Sequence, residues 1–189
     1  MGRPKEWLPI ADTTMLARQV ETLRSCAQPV VVVARDADQQ LPELPAGCDV
    51  VLDDPPDAGP LAAIASGLQH LVDRHGFADA DAAFVTACDL PFVTARDVAW
   101  LRGLLGDADV VMPEAEGRLQ PMAAVVRAAA LRHARALLAA GTRTPRSLAQ
   151  TQNAVVLPEA AVRAHDPQLR FLRNLNAPED LERWRDDMG

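Results

Sequence analysis

The sequence is short of cysteine, of positive charge and of long apolar runs, and each shortage removes a class of function. Its three cysteines, Cys26, Cys48 and Cys88, are widely scattered and form no CxxC or Cys/His spacing. Such an odd set suggests neither a disulfide framework nor a zinc site, and it fits a reducing cytoplasm. Lysine and arginine number 19 against 26 acidic residues, for a net charge of −7. That balance argues against a broad electrostatic footprint for nucleic acid or an anionic membrane, so any phosphate must be met by local groups. No apolar stretch approaches the ~18 residues of a membrane span, and the N-terminus has no apolar signal segment. The expectation is a soluble, cytoplasmic protein. The four histidines, His70, His75, His133 and His165, form no recognisable pairing and are assigned to helix surfaces. No Ser/His/Asp or Cys/His nucleophile arrangement stands out, and there is neither an internal repeat nor a low-complexity linker.

What is present is a chain of 189 residues, about half of them apolar, enough for one domain with a real core. Residues 13–27 carry apolar positions at helical spacing behind a threonine cap. "PVVVVARD" is a β-branched run of the kind expected in a strand covered on both faces, and "CDVVLDD" is a second. The "DPPDAGP" break precedes Pro60, which suits a helix first turn, and "LAAIASGLQHLV" continues the helix. "DAAFVTACDLPF" is a third apolar run. Thr94 and Asp97 predict a capped helix through Leu105, and "DADVVMPEAEGRLQPMAAVVR" predicts two strands about a turn. "AAALRHARALLAAG" predicts a helix closed by Gly141. "NAVVLP" and "LRFLRNLN" suggest short strands, and "APEDLERWRDD" a terminal helix. Strands alternating with helices give an α/β layer fold with a mainly parallel sheet, in which ligands bind beyond the carboxyl ends of the strands.

Polar residues just past each apolar run are therefore the candidates. Asp89 closes "FVTACD" and could hold Mg²⁺ against a nucleotide phosphate, or simply end the strand before Pro91. Lys5, with Gly2 and Arg3 beside it, could meet a phosphate, or lie solvated near the terminus. Asp57 and Gly59 lead into a helix N-terminus that favours anions, or make an ordinary capped turn. Asn174 and Asn176 would face one side of an extended segment and could orient a ligand, although Asn176 is also the natural cap of the helix that follows. Arg143 and Arg146 could clamp a phosphorylated substrate through their planar forks, or be surface cations.

Taken in order, "MGRPKEWLP", "VVVVARD", "DDPPDAGPLAAI", "ACDLPF", "GRLQPMAAVV", "GTRTPRSL" and "NLNAPEDLERW" resemble the molybdenum cofactor guanylyltransferase family of nucleotidyltransferases over essentially the whole chain. The resemblance implies a three-layer α/β/α, Rossmann-like nucleotidyltransferase domain with a mostly parallel central sheet. It implies transfer of GMP from GTP to molybdopterin with Mg²⁺ as cofactor. Proteins that deliver or receive the cofactor are implied as further partners, and no nucleic acid or membrane. By the same resemblance Lys5 and Asp89 are catalytic, Asp89 is the metal ligand, and Gly2, Lys5, Asp36, Asp57, Gly59 and Asp89 bind the nucleotide. Arg143, Asn174 and Asn176 fall to the second substrate. Relatives often carry Asn after the "VVVV" strand, where this chain has Arg35 and Asp36, and Ala177 stands where they have a capping Thr. The family also begins with a strand and a loop of the form LAGGxSxRMGxxK, of which "MGRPK" matches only the last five positions. The expectation is a single domain whose natural form carries that strand and glycine loop ahead of Met1. Two other readings stay open: a cytidylyl- or other nucleotidyltransferase on a related phosphorylated substrate, and a catalytically silent nucleotide-binding module.

Overall fold

A computed structural model describes residues 4–10, 12–56, 58–150, 153–175 and 180. After a 3₁₀ turn at Lys5–Trp7, a two-residue hairpin pairs β1 (Pro9–Ile10) with β2 (Thr13–Thr14) and leads into α1 (Met15–Arg24). Thr14 caps α1, its side chain accepting from the Ala17 N–H. The alternating units that follow are β3 (Val30–Ala34), β4 (Cys48–Leu52), α2 (Pro60–His75), β5 (Ala82–Thr86), α3 (Ala95–Gly103) and β6 (Val110–Ala115). Then come β7 (Arg118–Leu119), β8 (Ala123–Arg127), α4 (Leu131–Ala139), β9 (Ala154–Leu157) and α5 (Glu159–His165). The expected ends of α2, α3 and α4 are in place, while the Asn176 cap lies outside the described residues. Proline opens α2 behind Gly59, Thr94 and Asp97 form a reciprocal capping box on α3, and Gly141 takes the left-handed conformation after α4. The helix of "APEDLERWRDD" falls outside the described residues, apart from Asp180.

Three departures from expectation appear. "LRFLRNLN" holds a 3₁₀ turn, Arg170–Leu172, and no strand. Its Phe171 turns inward and is 1% exposed, edge-on to Trp100 and His165, so burial of one aromatic ring decides the local conformation. The helix α5 was not anticipated, because the preceding Pro158 and the seven-residue length gave little periodicity to read. The stretch expected as two strands contains three. Glu116 and Gly117, both at positive φ, reverse β6 into β7 before β8 begins.

The larger sheet has the order β5–β8–β6, with β7 and β9 also paired to β6. β8 runs antiparallel to both β5 and β6, and β9 is parallel to β6, so β5, β6 and β9 share one direction. Both faces are covered. On one side Val110 and Met112 of β6 and Ala124 and Val126 of β8 pack under α2 and α4. On the other, Val111, Ala123 and Val125 pack under α3, α5 and Phe171. This period-two division of continuous apolar runs is what a sheet between two helical layers requires.

β3 and β4 form a separate parallel pair. Between β3 and β5 lies an apolar cavity of about 360 Å³, lined by residues 30–33 of the first strand and all of Ala82–Thr86 of the second. Successive residues of a strand alternate between faces, so a space that touches every one of them lies along the strand edge. The two inner edges thus face each other across an open slot.

Candidate active site

Asp89 lies three residues past β5, where the apolar run ends and the chain turns. Its Oδ2 accepts a hydrogen bond from Lys5 Nζ at 3.0 Å, across 84 residues of sequence, with the two side chains 21% and 40% exposed. Lys5 is brought there by its 3₁₀ turn, which is anchored on two sides. Glu6 Oε1 accepts from Gln39 Nε2 at 2.9 Å, and Trp7 Nε1 donates to the Gln40 carbonyl at 2.9 Å. Behind the turn, Leu8 and Ile10 bury themselves with Met15 and Leu175. The backbone N–H of Leu175 in turn donates to the Asp89 carbonyl at 2.9 Å, which sets exposed Asn174 next to the strand end. Three segments remote in sequence therefore converge on one carboxylate.

Asp36 occupies the loop after β3 that continues into Gln39 and Gln40. It accepts from Arg35 Nε at 2.9 Å and from the Asp38 N–H at 2.9 Å. The Arg35 hydrogen bond, chiefly, holds its carboxyl below the usual range. Gly59 has φ of 92°, a conformation that suits glycine, and a Cβ there would lie 3.5 Å from Arg143. The Leu61 N–H donates to the Arg143 carbonyl at 3.4 Å. Gly59 and Arg143 thus meet at the start of α2, with Arg143 and Arg146 both exposed. Of the residues singled out from sequence, Lys5, Asp89 and Asn174 form one group and Gly59 with Arg143 another, while Asp36 reaches the first through its loop. Gly2, Asp57 and Asn176 lie outside the described residues.

Asp53, buried at 6% exposure just after β4, escaped the sequence reading. Its backbone N–H donates to the Ala34 carbonyl at 2.8 Å, and the Ser66 hydroxyl lies 3.5 Å from its Oδ1. The signal was available, since this carboxylate ends an apolar run just as Asp89 does. Gln19, also buried, donates to Thr86 Oγ1 at 3.0 Å at the end of β5. Beside Asp89, burial pushes the Cys88 thiol up to about 11, with the Asp89 charge adding to the effect, so this sulfur is no nucleophile at neutral pH.

Two parts of the histidine reading need correction: His165 is not at a helix surface, and His70 and His75, which do lie on one, are paired through a shared carboxylate. His165 is nearly buried, bonded through Nε2 to Asp97 Oδ1 at 2.7 Å and stacked on Trp100 with ring centroids 4.1 Å apart. It ties the end of α5 to the start of α3. His70 and His75, both on α2, converge on Asp49.

This arrangement has known counterparts. The family model of the MobA-like NTP transferase domain matches residues 1–167. A probable molybdenum cofactor guanylyltransferase of Chloroflexus aggregans is 33% identical over 171 residues, covering 89% of this chain and 77% of that protein. Its counterpart in Methanothermobacter thermautotrophicus is 31% identical over 188 residues, covering 96% and 90%. Among solved structures, molybdopterin-guanine dinucleotide biosynthesis protein A from Archaeoglobus fulgidus superposes with a TM-score of 0.76 at 22% identity, over 99% of this chain and 91% of that one. The 2-C-methyl-D-erythritol 4-phosphate cytidylyltransferase of Thermus thermophilus gives 0.69 at 18% identity, over 98% and 94%, and shares the fold. With nearly the whole chain matched by the family model, and relatives above 30% identity covered over most of their length, the chain belongs to the MobA-like NTP transferase family.

Proposed function

We propose that the protein transfers GMP from GTP to the terminal phosphate of molybdopterin, giving molybdopterin guanine dinucleotide and pyrophosphate. The observation that carries this reading is the meeting of Lys5, Asp89 and the Asn174–Leu175 segment at the end of β5. Relatives named molybdenum cofactor guanylyltransferase support the choice of substrates.

A part-exposed carboxylate at a strand tip fits Mg²⁺, which takes one or two carboxylates and completes its shell with phosphate oxygens and water. Asp89 would hold it, and the ion would offset negative charge on the α-phosphate and the departing pyrophosphate. Lys5 is already poised beside Asp89. A partly exposed ion pair of this kind is worth about 1 kcal/mol, so its ammonium moves to a triphosphate oxygen at modest cost. Asp36 and the glycine turn at Gly59 flank the nucleoside, and the family resemblance assigns Asp57 and Gly2 to nucleotide binding as well. Arg143, with its planar fork in solvent, and Asn174 and Asn176 receive the acceptor. In the reaction an acceptor phosphate oxygen bonds to the α-phosphorus while the bond to the bridging oxygen breaks, and pyrophosphate leaves. Placement and charge suffice for this, and no residue needs to bond covalently to the nucleotide.

The reading includes a strand in the slot between β3 and β5, followed by a glycine loop that delivers backbone N–H groups to the phosphates. The two facing strand edges and the apolar lining of the cavity support it. Strand edges that meet no partner among the described residues, around an apolar space, are costly to leave open.

The test incubates the protein, alone and extended at its N-terminus with the leading segment of the Chloroflexus aggregans relative, with molybdopterin, Mg²⁺ and each nucleoside triphosphate in turn. The expected result is pyrophosphate and dinucleotide from GTP, faster with the extended protein. Product from CTP alone would replace the guanylyl reading with a cytidylyl one. Absence of turnover with every nucleotide, in both proteins, would leave a silent nucleotide-binding module.

A further inference from the structure

We propose that Asp49, His70 and His75 form a second metal site, selective for a zinc-like transition ion and separate from the site at Asp89. Asp49 is the second residue of β4, and the two histidines occupy the last turns of α2. Both His70 Nε2 and His75 Nε2 lie 2.7 Å from the same atom, Asp49 Oδ2. The three ligand atoms all fall within 4.8 Å of one another, and the rings meet edge-on with centroids 5.6 Å apart.

Two imidazole nitrogens and a carboxylate oxygen are the donor set of zinc and its neighbours, and a poor one for Mg²⁺, which prefers oxygen alone. Ligands about 2.0–2.1 Å from a tetrahedral Zn²⁺ sit roughly 3.3 Å apart. The present 2.7 Å contacts open to that spacing with movements well under the length of a bond. The side chains of Asp49, His70 and His75 are 42%, 20% and 30% exposed, so water can complete the coordination. In the absence of metal, one carboxylate oxygen takes both imidazole N–H groups; a divalent ion would take the two Nε2 lone pairs instead, each neutral ring then carrying its proton on Nδ1.

The site is remote from the nucleotide. Pro60 begins α2 beside Gly59 and His75 ends it, and fifteen residues at 1.5 Å each put the two ends about 22 Å apart. An ion at the far end would clamp β4, the exposed strand of the two-stranded sheet, to the helix that packs on both sheets. Its effect is therefore on stability and not on transfer.

The experiment uses tag-free, chelator-washed protein in buffer with excess Mg²⁺, titrated with Co²⁺ by visible absorption and with Zn²⁺ by calorimetry. The expected result is saturable uptake of one equivalent, ligand-field bands of tetrahedral character, and a melting temperature that rises with metal concentration. Asp49→Asn, His70→Gln and His75→Gln should each weaken uptake by about tenfold or more, judged on variants whose circular dichroism is unchanged. Asp73→Asn, on the same helix, and Asp89→Ala should bind as the parent does. Uptake that is weak, unsaturable or indifferent to all three ligand variants would overturn the proposal, and loss on Asp89→Ala would reassign the ion to the nucleotide site.

Discussion

The five-stranded sheet and the β3–β4 pair differ in how they are held. In the five-stranded sheet Val110, Val111, Met112, Ala123 and Ala124 are all at 0% exposure, with helices on both sides. In the β3–β4 pair, Val50 is 50% and Leu52 49% exposed, and the inner edge of β3 faces the cavity. Folding free energy therefore resides mainly in the larger sheet. The candidate site stands on the seam: Asp89 rides on the edge strand of the consolidated half, and the loop carrying Asp36, Gln39 and Gln40 comes from the other. Ligand groups sit where burial does not compete for them.

The comparison can be broken most directly at the site itself. Asp89→Ala should lower GTP-dependent transfer by about a thousandfold, or ~4 kcal/mol of barrier, with the melting temperature nearly unchanged. A parallel fall in activity and stability would make Asp89 a structural residue. Within the larger sheet's packing, Leu101→Ala should cost about 2–5 kcal/mol in urea unfolding, because this α3 side chain is fully buried. A loss below ~1 kcal/mol would dissolve the contrast between the halves. Lys5→Ala should reduce kcat/KM for GTP by roughly 10–100-fold while leaving stability within about 1 kcal/mol, as befits a partly exposed ion pair. Unchanged kinetics would return Lys5 to an ordinary surface cation.

The seam offers a subtler probe. With a pKa of about 11, only about one Cys88 thiol in a thousand is ionised at pH 8, so iodoacetamide should modify it slowly in the folded protein. Asp89→Asn removes a neighbouring negative charge and should speed that modification, and slower modification would contradict the placement of the two groups. At the bottom of the scale, Val50→Ser on exposed β4 should shift stability by about 0.5 kcal/mol or less.

Much of this was legible in the chain. The runs "VVVVA" and "AAVVR" declared strands, and Thr94, Pro60 and Gly141 marked helix ends by local chemistry that tertiary contacts did not override. By contrast "CDVVLDD", expected to be covered on both faces, forms β4 with Val50 and Leu52 about half exposed, because no helix among the described residues packs on that side. The carboxylate at the end of "FVTACD" marked Asp89 by the rule that ligands gather beyond strand ends. Other features depend on contacts no local pattern encodes. Phe171 folds its segment into a turn by finding Trp100 and His165. His70 and His75 become partners only through Asp49, 21 and 26 residues earlier. The pairing of Lys5 with Asp89 could be guessed from the resemblance and not from spacing.

The central claim, a metal–nucleotide complex held at Asp89, is tested most directly by Mn²⁺ and GTP added to isotope-labelled protein that carries Asp49→Asn, so that one candidate metal site remains. Paramagnetic broadening of amide signals should be strongest at Asp89, Leu90 and Leu175 and should fade toward Leu101 and the amino end of β4. Broadening centred on another part of the molecule, or none that requires GTP, would contradict the assignment.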